Sequence, residues 1–336
     1  MSARTFLRGL AGLGIAIAVS TPAEALLFRA YLSVDGNDGN PCSLPQPCRL
    51  LPAALAAVAS GGEIWLLDSA NYNTATVNVT KSVKILAVPG AVGSVVATGG
   101  PAISVATAGV DVALRNLVIV PLPGAGGTYG VHMTAGNSLT VEQCLLAGLP
   151  EDGIRVVGGS AVKVVETTIR VSGDGIALYD GARGTVTRAV INASGHTGVH
   201  AIGSAAGTTT TVSIADSTLE GNLQGAMAWS MNATATVKLA LSGSQLDRNG
   251  EGVGAVSQND GPASAVVSGN VVTHSGTYAV FSYNPAARVW ASGNTIAANN
   301  YGISSLNGGV FESAGNNAVR NNATDQFGTV TVVPMK

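Results

Sequence analysis

The sequence predicts an all-β protein, a right-handed parallel β-helix (solenoid) of about ten coils with an N-terminal capping α-helix. A glycine followed by an apolar residue recurs with a nearly constant step along the chain, a second apolar column keeps the same register, and each repeat holds only short period-two strands. Such a unit has no adequate core alone. It must therefore stack on its neighbours, strand pairing with strand about 4.8 Å away, and parallel crossovers favour the right-handed coil.

Composition excludes several classes of function. Only 11% of the 336 residues are charged, against about 25% in an ordinary soluble domain, and the formal charge is −2. With 17 Lys and Arg against 19 Asp and Glu there is no basic field, so we expect no nucleic-acid partner. Beyond Ala25 the apolar stretches are short, which predicts no transmembrane segment after signal cleavage.

The N-terminus predicts a signal peptide. Arg4 and Arg8 precede an apolar stretch over residues 9–19, and Ala23-Glu24-Ala25 fits a cleavage site. An uncleaved anchor helix is the alternative. The predicted organisation is a signal peptide over 1–25, an N-terminal segment with the capping helix over 26–62, and the parallel β-helix over 63–336, in a secreted or periplasmic protein.

Two cysteines follow the predicted cleavage site closely. Cys42 and Cys48 lie near each other in a proline-rich loop. An oxidising compartment favours a disulfide between them, although two reduced thiols remain the alternative.

The two ends of the rod have distinct sequence signals. Residues 50–59 are rich in Ala and Leu, with Pro52 near the first turn and Gly61-Gly62 as a stop, which predicts a helix covering the open end of the first coil. Residues 63–67 then form a strand leading into the coils. At the other end, the β-branched run 329–333 is expected to close the last coil.

Three residue columns define the repeat. The glycines of the first column are Gly130, Gly153, Gly175, Gly198, Gly225, Gly252 and Gly302, with a degenerate unit near Tyr278-Ala279-Val280. The apolar column is Leu146, Ile169, Ile191, Leu219, Leu246, Val272, Ile296 and Val319. Two positions before each member lies a small or polar residue, which predicts an inward ladder ending in stacked amides: Cys144, Thr167, Ala189, Ser217, Ser244, Asn270, Asn294 and Asn317.

The segment before the coils carries a family resemblance. It reads Val-Asp-Gly-Asn-Asp-Gly-Asn over residues 34–40, then Pro47-Cys48-Arg49, the Ala-rich helix and Gly62-Glu63-Ile64-Trp65. This resembles the entry segment of secreted pectin-lyase-like right-handed β-helix proteins, and the later coils are similar to that superfamily's repeats. The superfamily includes pectate lyases, polygalacturonases, epimerases, tailspikes and proteins without known activity, so the resemblance implies a fold and no single function.

One set of residues is the candidate for catalysis. Asp152 and Asp174 occupy the same position in adjacent units, His196 follows one unit later, and Arg155 should point outward beside them. Two carboxylates with a nearby histidine could serve as acid and base on a glycosidic bond. The spacing is similar to that of polygalacturonases, but their motifs are only partly present. The alternatives are turn chemistry at Asp-Gly and an ordinary surface ion pair.

A second set is the candidate for ligand binding. Outward positions after each repeated glycine hold His132, Arg155, His200 and Met227, with Tyr179 and Trp229 further along the strands and Phe281 and Tyr283 as an extension. Aromatic rings stack on sugar faces, so the expected partner is a polysaccharide or a cell-surface component. The alternative is that these side chains are covered by loops or pack on one another.

Metal ligands are sparse. No zinc-like Cys and His spacing occurs, so we predict no metal site and no cofactor, with one open alternative. Asp35, Asn37, Asp38 and Asn40 could offer oxygen ligands to calcium, or could simply form turns.

The sequence therefore predicts a secreted β-helix protein without a complete active site, which binds a glycan or another surface, or serves a structural role. The alternative is a polysaccharide lyase or glycoside hydrolase acting on a uronic-acid polymer. The sequence does not determine the oligomeric state.

Overall fold

The computed structural model describes residues 26–333 as a parallel β-solenoid of about eleven turns, close to the predicted ten. The predicted signal peptide, residues 1–25, lies outside the described residues. Each turn contributes one strand to each of three parallel sheets. Within residues 26–333, no helix combines the length and the apolar character needed to cross a membrane.

The strands are short, and each sheet runs the length of the rod. The thirteen strands of sheet 1 are Leu27–Leu32, Val58–Leu66, Val83–Ala87, Asp111–Arg115, Ser138–Glu142, Ala161–Val165, Arg183–Thr187, Thr209–Ala215, Thr236–Ser242, Ala263–Ser268, Ala287–Ser292, Val310–Ser313 and Val330–Val332. The eleven strands of sheet 2 are Val77–Val79, Ile103–Ala106, Val131–Ala135, Ile154–Val157, Ile176–Tyr179, Thr197–Gly203, Gln224–Ser230, Glu251–Ser257, Tyr278–Tyr283, Tyr301–Leu306 and Thr324–Phe327. The eleven strands of sheet 3 are Ala70–Asn71, Gly93–Ala97, Leu117–Pro121, Leu145–Ala147, Thr168–Arg170, Val190–Asn192, Thr218–Glu220, Gln245–Asp247, Val271–Thr273, Thr295–Ala297 and Ala318–Arg320.

The predicted apolar column is confirmed as a vertical stack in sheet 3. Leu146 pairs with Ile169, which pairs with Ile191, and the succession continues to Val319 at the last coil. The first three of these side chains are fully buried in the common core. Residues that are a whole repeat apart in sequence are thus direct neighbours.

The repeated glycines are required by a close approach between coils. A Cβ on Gly175 would lie 2.4 Å from the carbonyl oxygen of Gly198, and one on Gly153 would lie 2.6 Å from that of Gly175. Neither glycine has a positive φ, so backbone freedom is not the reason for its presence. A side chain at this position would push successive coils of sheet 2 apart.

Stacked amides run through the interior as predicted. Asn270 donates from its backbone and side chain to the Oδ1 of Asn294, and Asn294 donates in the same way to Asn317. A second ladder, which the sequence analysis missed, contains Asn222, Asn249, Asn299 and Asn322. The sequence contains a signal for this ladder, because its first three members each lie three residues before a glycine of the repeated column. Asn322 lies three residues before Asp325, at the corresponding position of the last coil. Asp325 accepts from Asn322 and ends this ladder.

The N-terminal end differs from the prediction in its boundaries. The helix spans Leu51–Ala57 rather than 50–59, because Val58 is already extended and begins a strand of sheet 1. The predicted boundary at 62/63 therefore falls inside that strand. The strand Leu27–Leu32 was not anticipated, and it pairs in parallel with Val58–Leu66 to open sheet 1.

Helix and disulfide lie together at this end. The helix buries Leu51, Ala54 and Leu55, as expected of an end cap. Cys42 and Cys48 are joined by a disulfide with their Cα atoms 4.6 Å apart.

At the other end, the predicted closing run forms the strand Val330–Val332, which pairs with Val310–Ser313.

Candidate functional site

The candidate residues lie on the outer face of sheet 2, where their order follows from strand register. His132 pairs with Arg155, Arg155 with Ala177, and Ala177 with His200 in successive coils. The flanking residues of each strand point into the core, so this row points outward. Arg155 and His200 are therefore two rungs apart, about 10 Å along the rod.

Asp152 and Asp174 are both buried, and their carboxylate oxygens have protein partners. Asp152 accepts from Arg155 Nη1 at 3.3 Å through Oδ2, and from the backbone N–H of Asp174 at 3.2 Å through Oδ1. Asp174 accepts from the backbone N–H of Thr197 at 2.7 Å, and its Oδ2 lies 3.1 Å from His200 Nδ1. The two carboxylates thus hold Arg155 and His200 in place, and it is these two side chains that face the surface.

The environment moves the two carboxyl pKa values in opposite directions. Burial, together with the charge of Asp174, raises the pKa of Asp152 to about 6. Burial would also raise the pKa of Asp174, but the hydrogen bond and charge of His200 and the Thr197 N–H hold it below its usual value. Asp174 therefore stays ionised at mildly acidic pH, where Asp152 takes up a proton.

The histidine beside Asp174 is His200, whereas the sequence pointed to His196. Thr197 occupies the position in the coil that Asp174 occupies one coil earlier, so His196 is displaced into the exposed turn before the strand. His196 remains at the rim of the site, while the strand carries His200 to Asp174. The one-residue insertion was visible in the sequence, but its effect on direction required the coil geometry.

Arg155 lies between two aromatic rings. Its guanidinium carbon is 4.3 Å from the centre of the Tyr179 ring and 5.5 Å from that of Tyr129. Tyr129 also contacts His132, with ring centres 4.7 Å apart. Tyr129 was not among the predicted residues, although it immediately precedes Gly130 in the repeated column.

Beside this cluster is an open depression of about 380 Å³. Its lining includes Tyr179, His196, His200, Gln224 and Trp229. The rings of His200 and Trp229 have their centres 5.8 Å apart. His200 Nε2 and Trp229 Nε1 are both buried, and neither has a hydrogen-bond partner among the described residues.

A second depression continues the first along the rod. It has a volume of about 440 Å³, and it shares Leu223 and Gln224 with the first while adding Glu251. A polar chain connects them, since Thr197 donates to Gln224 Oε1 and Gln224 donates to Glu251 Oε2. Burial raises the pKa of Glu251. Together the two depressions form a groove, which we call the sheet 2 groove.

The expected exposure of Met227 and Phe281 is wrong. Both are almost fully buried, and they pack with Leu306 in a small apolar cluster outside the coil. Gly254 lies between them in register and leaves the space that the Phe281 ring occupies. This aromatic group therefore stabilises the outer surface instead of extending the groove.

Three of the four calcium candidates have side chains engaged in their own loop. Asp38 Oδ1 accepts from the backbone N–H groups of Arg49 and Leu50, and Asn37 Oδ1 accepts from that of Gly39. Asn40 donates to the carbonyl of Pro47. These contacts explain the polar sequence as loop structure.

Comparison with known proteins bears on both fold and family. The family model described as "Periplasmic copper-binding protein (NosD)" matches residues 133–328, which is more than half of the chain. No protein with a curated description matches the chain in sequence.

Solved structures share the fold at low sequence identity. A polygalacturonase from Erwinia carotovora ssp. carotovora has a TM-score of 0.60 and 11% identity, with 95% of this chain and 99% of that chain covered. A mutant of the periplasmic alginate epimerase AlgG has a TM-score of 0.50 and 12% identity, with 82% and 79% covered. A tailspike protein of an Escherichia coli bacteriophage has a TM-score of 0.50 and 15% identity, with 83% of this chain but only 39% of that chain covered. The pectin-lyase-like right-handed parallel β-helix predicted from the sequence is confirmed.

Proposed function

The chain belongs to the NosD family of β-helix proteins, and from that premise we propose that it is a periplasmic protein that binds a glycan in the sheet 2 groove. Periplasmic location fits both the family description and the predicted signal peptide. Glycan binding is supported by the side chains that line the groove.

The observation that carries this proposal is the pair of unpartnered buried nitrogens beside aromatic rings. Trp229 Nε1 is a donor only, and His200 Nε2 can donate or accept according to its protonation state. Buried polar atoms without partners cost free energy, and a sugar hydroxyl that reached them after a shift of the two rings would supply the missing hydrogen bonds. The rings of Tyr179 and Trp229 offer apolar faces next to these atoms.

The family description also implies copper, and the described residues do not fit it. Copper sites in proteins gather several imidazole, thiolate or thioether groups. Within residues 26–333, no group of three or more His, Cys, Asp or Glu side chains is placed to hold a metal ion. The thiol of Cys144 is buried in the core, and burial raises its pKa to about 12, so it is not an available thiolate.

A second candidate is catalysis at the same place. Asp174 holds His200 through Nδ1 and leaves Nε2 without a partner among the described residues, so Nε2 could act as a general base on a substrate that reached it. A polysaccharide lyase or glycoside hydrolase would use this histidine together with Arg155. Release of unsaturated or reducing ends from a polysaccharide, abolished in His200→Ala, would establish this alternative.

Substitution of Trp229 tests the binding proposal. Calorimetric titration of purified protein with a panel of oligosaccharides should identify a ligand whose affinity falls about five- to tenfold in Trp229→Ala, because an aromatic contact and a donor are lost. Trp290 is the matched control, since it lies on the outer side of sheet 1. Equal affinities in Trp229→Ala and the wild type would remove the groove from consideration.

A further inference from the structure

Positively charged side chains are scarcer than carboxyl groups on and beside sheet 2. Arg155 is the only Lys or Arg in the eleven described strands of this sheet. Three carboxyl groups lie in or beside the groove, namely Asp152, Asp174 and Glu251. A polyanion placed here would meet more negative than positive charge.

Arg155 is already in an ion pair with Asp152. Arg155 Nη1 lies 3.3 Å from Asp152 Oδ2, with the two side chains 27% and 8% exposed, so the pair is shielded from water. Its guanidinium is also held against Tyr179. A ligand carboxylate would have to share Arg155 with Asp152, whose buried charge the guanidinium already balances, so little positive charge remains to attract it.

The chain does place cations elsewhere on the rod. Lys163, Arg183, Lys238 and Arg288 are all exposed on the outer face of sheet 1. The scarcity of cations on sheet 2 is therefore a property of that face, and does not follow from the low overall charge alone.

The polar groups of the groove include both donors and acceptors. Thr197, Gln224 and Glu251 form a hydrogen-bonded column along one side of the groove. His200 and Trp229 also line the groove, and each has a buried nitrogen without a partner among the described residues. Hydroxyl groups both donate and accept, so they can satisfy such a mixed set, whereas carboxylates only accept.

We propose that the ligand of the sheet 2 groove is an uncharged, hydroxyl-rich glycan, and that the groove discriminates against polyuronates. This inference rests on the proposed glycan-binding function and specifies its ligand class. It departs from the uronic-acid polymer that the sequence analysis gave as the substrate of the alternative function.

Pairs of polymers that differ only in their carboxyl groups provide the test. Oligosaccharides of galacturonan, mannuronan and glucuronan are each compared with their carboxyl-reduced forms, in which a hydroxymethyl group replaces each carboxylate. At least one reduced form should bind ten or more times more tightly than its uronate parent, with little dependence on salt.

The remaining outcomes separate the two proposals. Tighter binding of a uronate than of its reduced form would overturn the inference on ligand charge while leaving glycan binding intact. Binding of none of the polymers, reduced or not, would count against both.

Asp152→Asn supplies an independent readout in the same assay. The substitution frees Arg155 from its partner, so affinity for a uronate should rise severalfold relative to affinity for the reduced form. Asp111→Asn, on sheet 1, is the control and should leave this ratio unchanged. An unchanged ratio in Asp152→Asn would contradict the claim that the ion pair excludes carboxylates. Thermal unfolding of each variant verifies that the coil is intact.

Discussion

At the scale of single residues, the cluster around Arg155 is organised by the hydrogen bonds that two buried aspartates accept. Asp152 and Asp174 direct their oxygens to neighbours in the protein, and they present Arg155 and His200 to the surface. The sequence could identify the two aspartates from their shared position in the repeat. It could not reveal that His200 rather than His196 is the partner, because a single inserted residue moves one histidine into a turn while the strand positions the other.

The elevated pKa of Asp152 predicts a pH-dependent cost in stability. The pKa is about 6 in the folded chain against 3.8 as the ordinary value, so the folded state binds more protons between these values. The stabilisation is complete below about pH 3.8 and is lost as pH rises through 6. Asp174, whose pKa is lowered, acts in the opposite sense.

Asp152→Asn removes the titrating group and retains its shape. Between pH 4 and pH 7 the unfolding free energy of the variant should increase by about 2 to 3 kcal/mol relative to wild type, since one pKa unit corresponds to about 1.4 kcal/mol. Urea unfolding of both proteins at several pH values measures this difference. Parallel pH profiles would show that Asp152 titrates normally.

At the scale of strands and coils, repetition is the reason that so much could be predicted. Each coil repeats the same constraints, so the glycine, apolar and amide columns appear in the sequence as parallel lists. The strand Leu27–Leu32 belongs to no repeat, and its partner Val58–Leu66 lies beyond the disulfide loop and the helix. Its pairing is a single long-range contact, which a periodic pattern cannot signal.

The glycine column gives a prediction at this scale. Gly175→Ala should lower the unfolding free energy by about 2 kcal/mol or more, because the added Cβ would meet a carbonyl oxygen of the next coil at 2.4 Å. Gly159→Ala is the matched control, since a Cβ there has no neighbour within 4 Å and its φ is not positive. Its stability should stay the same or rise slightly.

The denaturant midpoints of Gly175→Ala and Gly159→Ala, each compared with wild type, measure these changes in stability. If Gly175→Ala were as stable as Gly159→Ala, the explanation of the column by close approach of the coils would be wrong.

At the scale of the whole molecule, the rod presents faces of different chemistry. Sheet 1 carries exposed Lys and Arg side chains. The described strands of sheet 2 carry a groove lined by aromatic and amide groups, and their one Lys or Arg is Arg155, which is paired with Asp152. The fold was predictable from the chain because its core is repetitive. The groove was only partly predictable, since its depth and its hydrogen bonds arise from side chains on different coils.

Fluorescence of Trp229 is the most direct test of the claim that the groove binds a glycan. The protein has three tryptophans, so replacing Trp65 and Trp290 by Phe leaves Trp229 as the only reporter. Titration with a neutral oligosaccharide that binds the wild type should produce a saturable change in emission, with a midpoint equal to the calorimetric Kd. Unchanged Trp229 emission while calorimetry records full binding would place the ligand elsewhere on the rod and contradict the account.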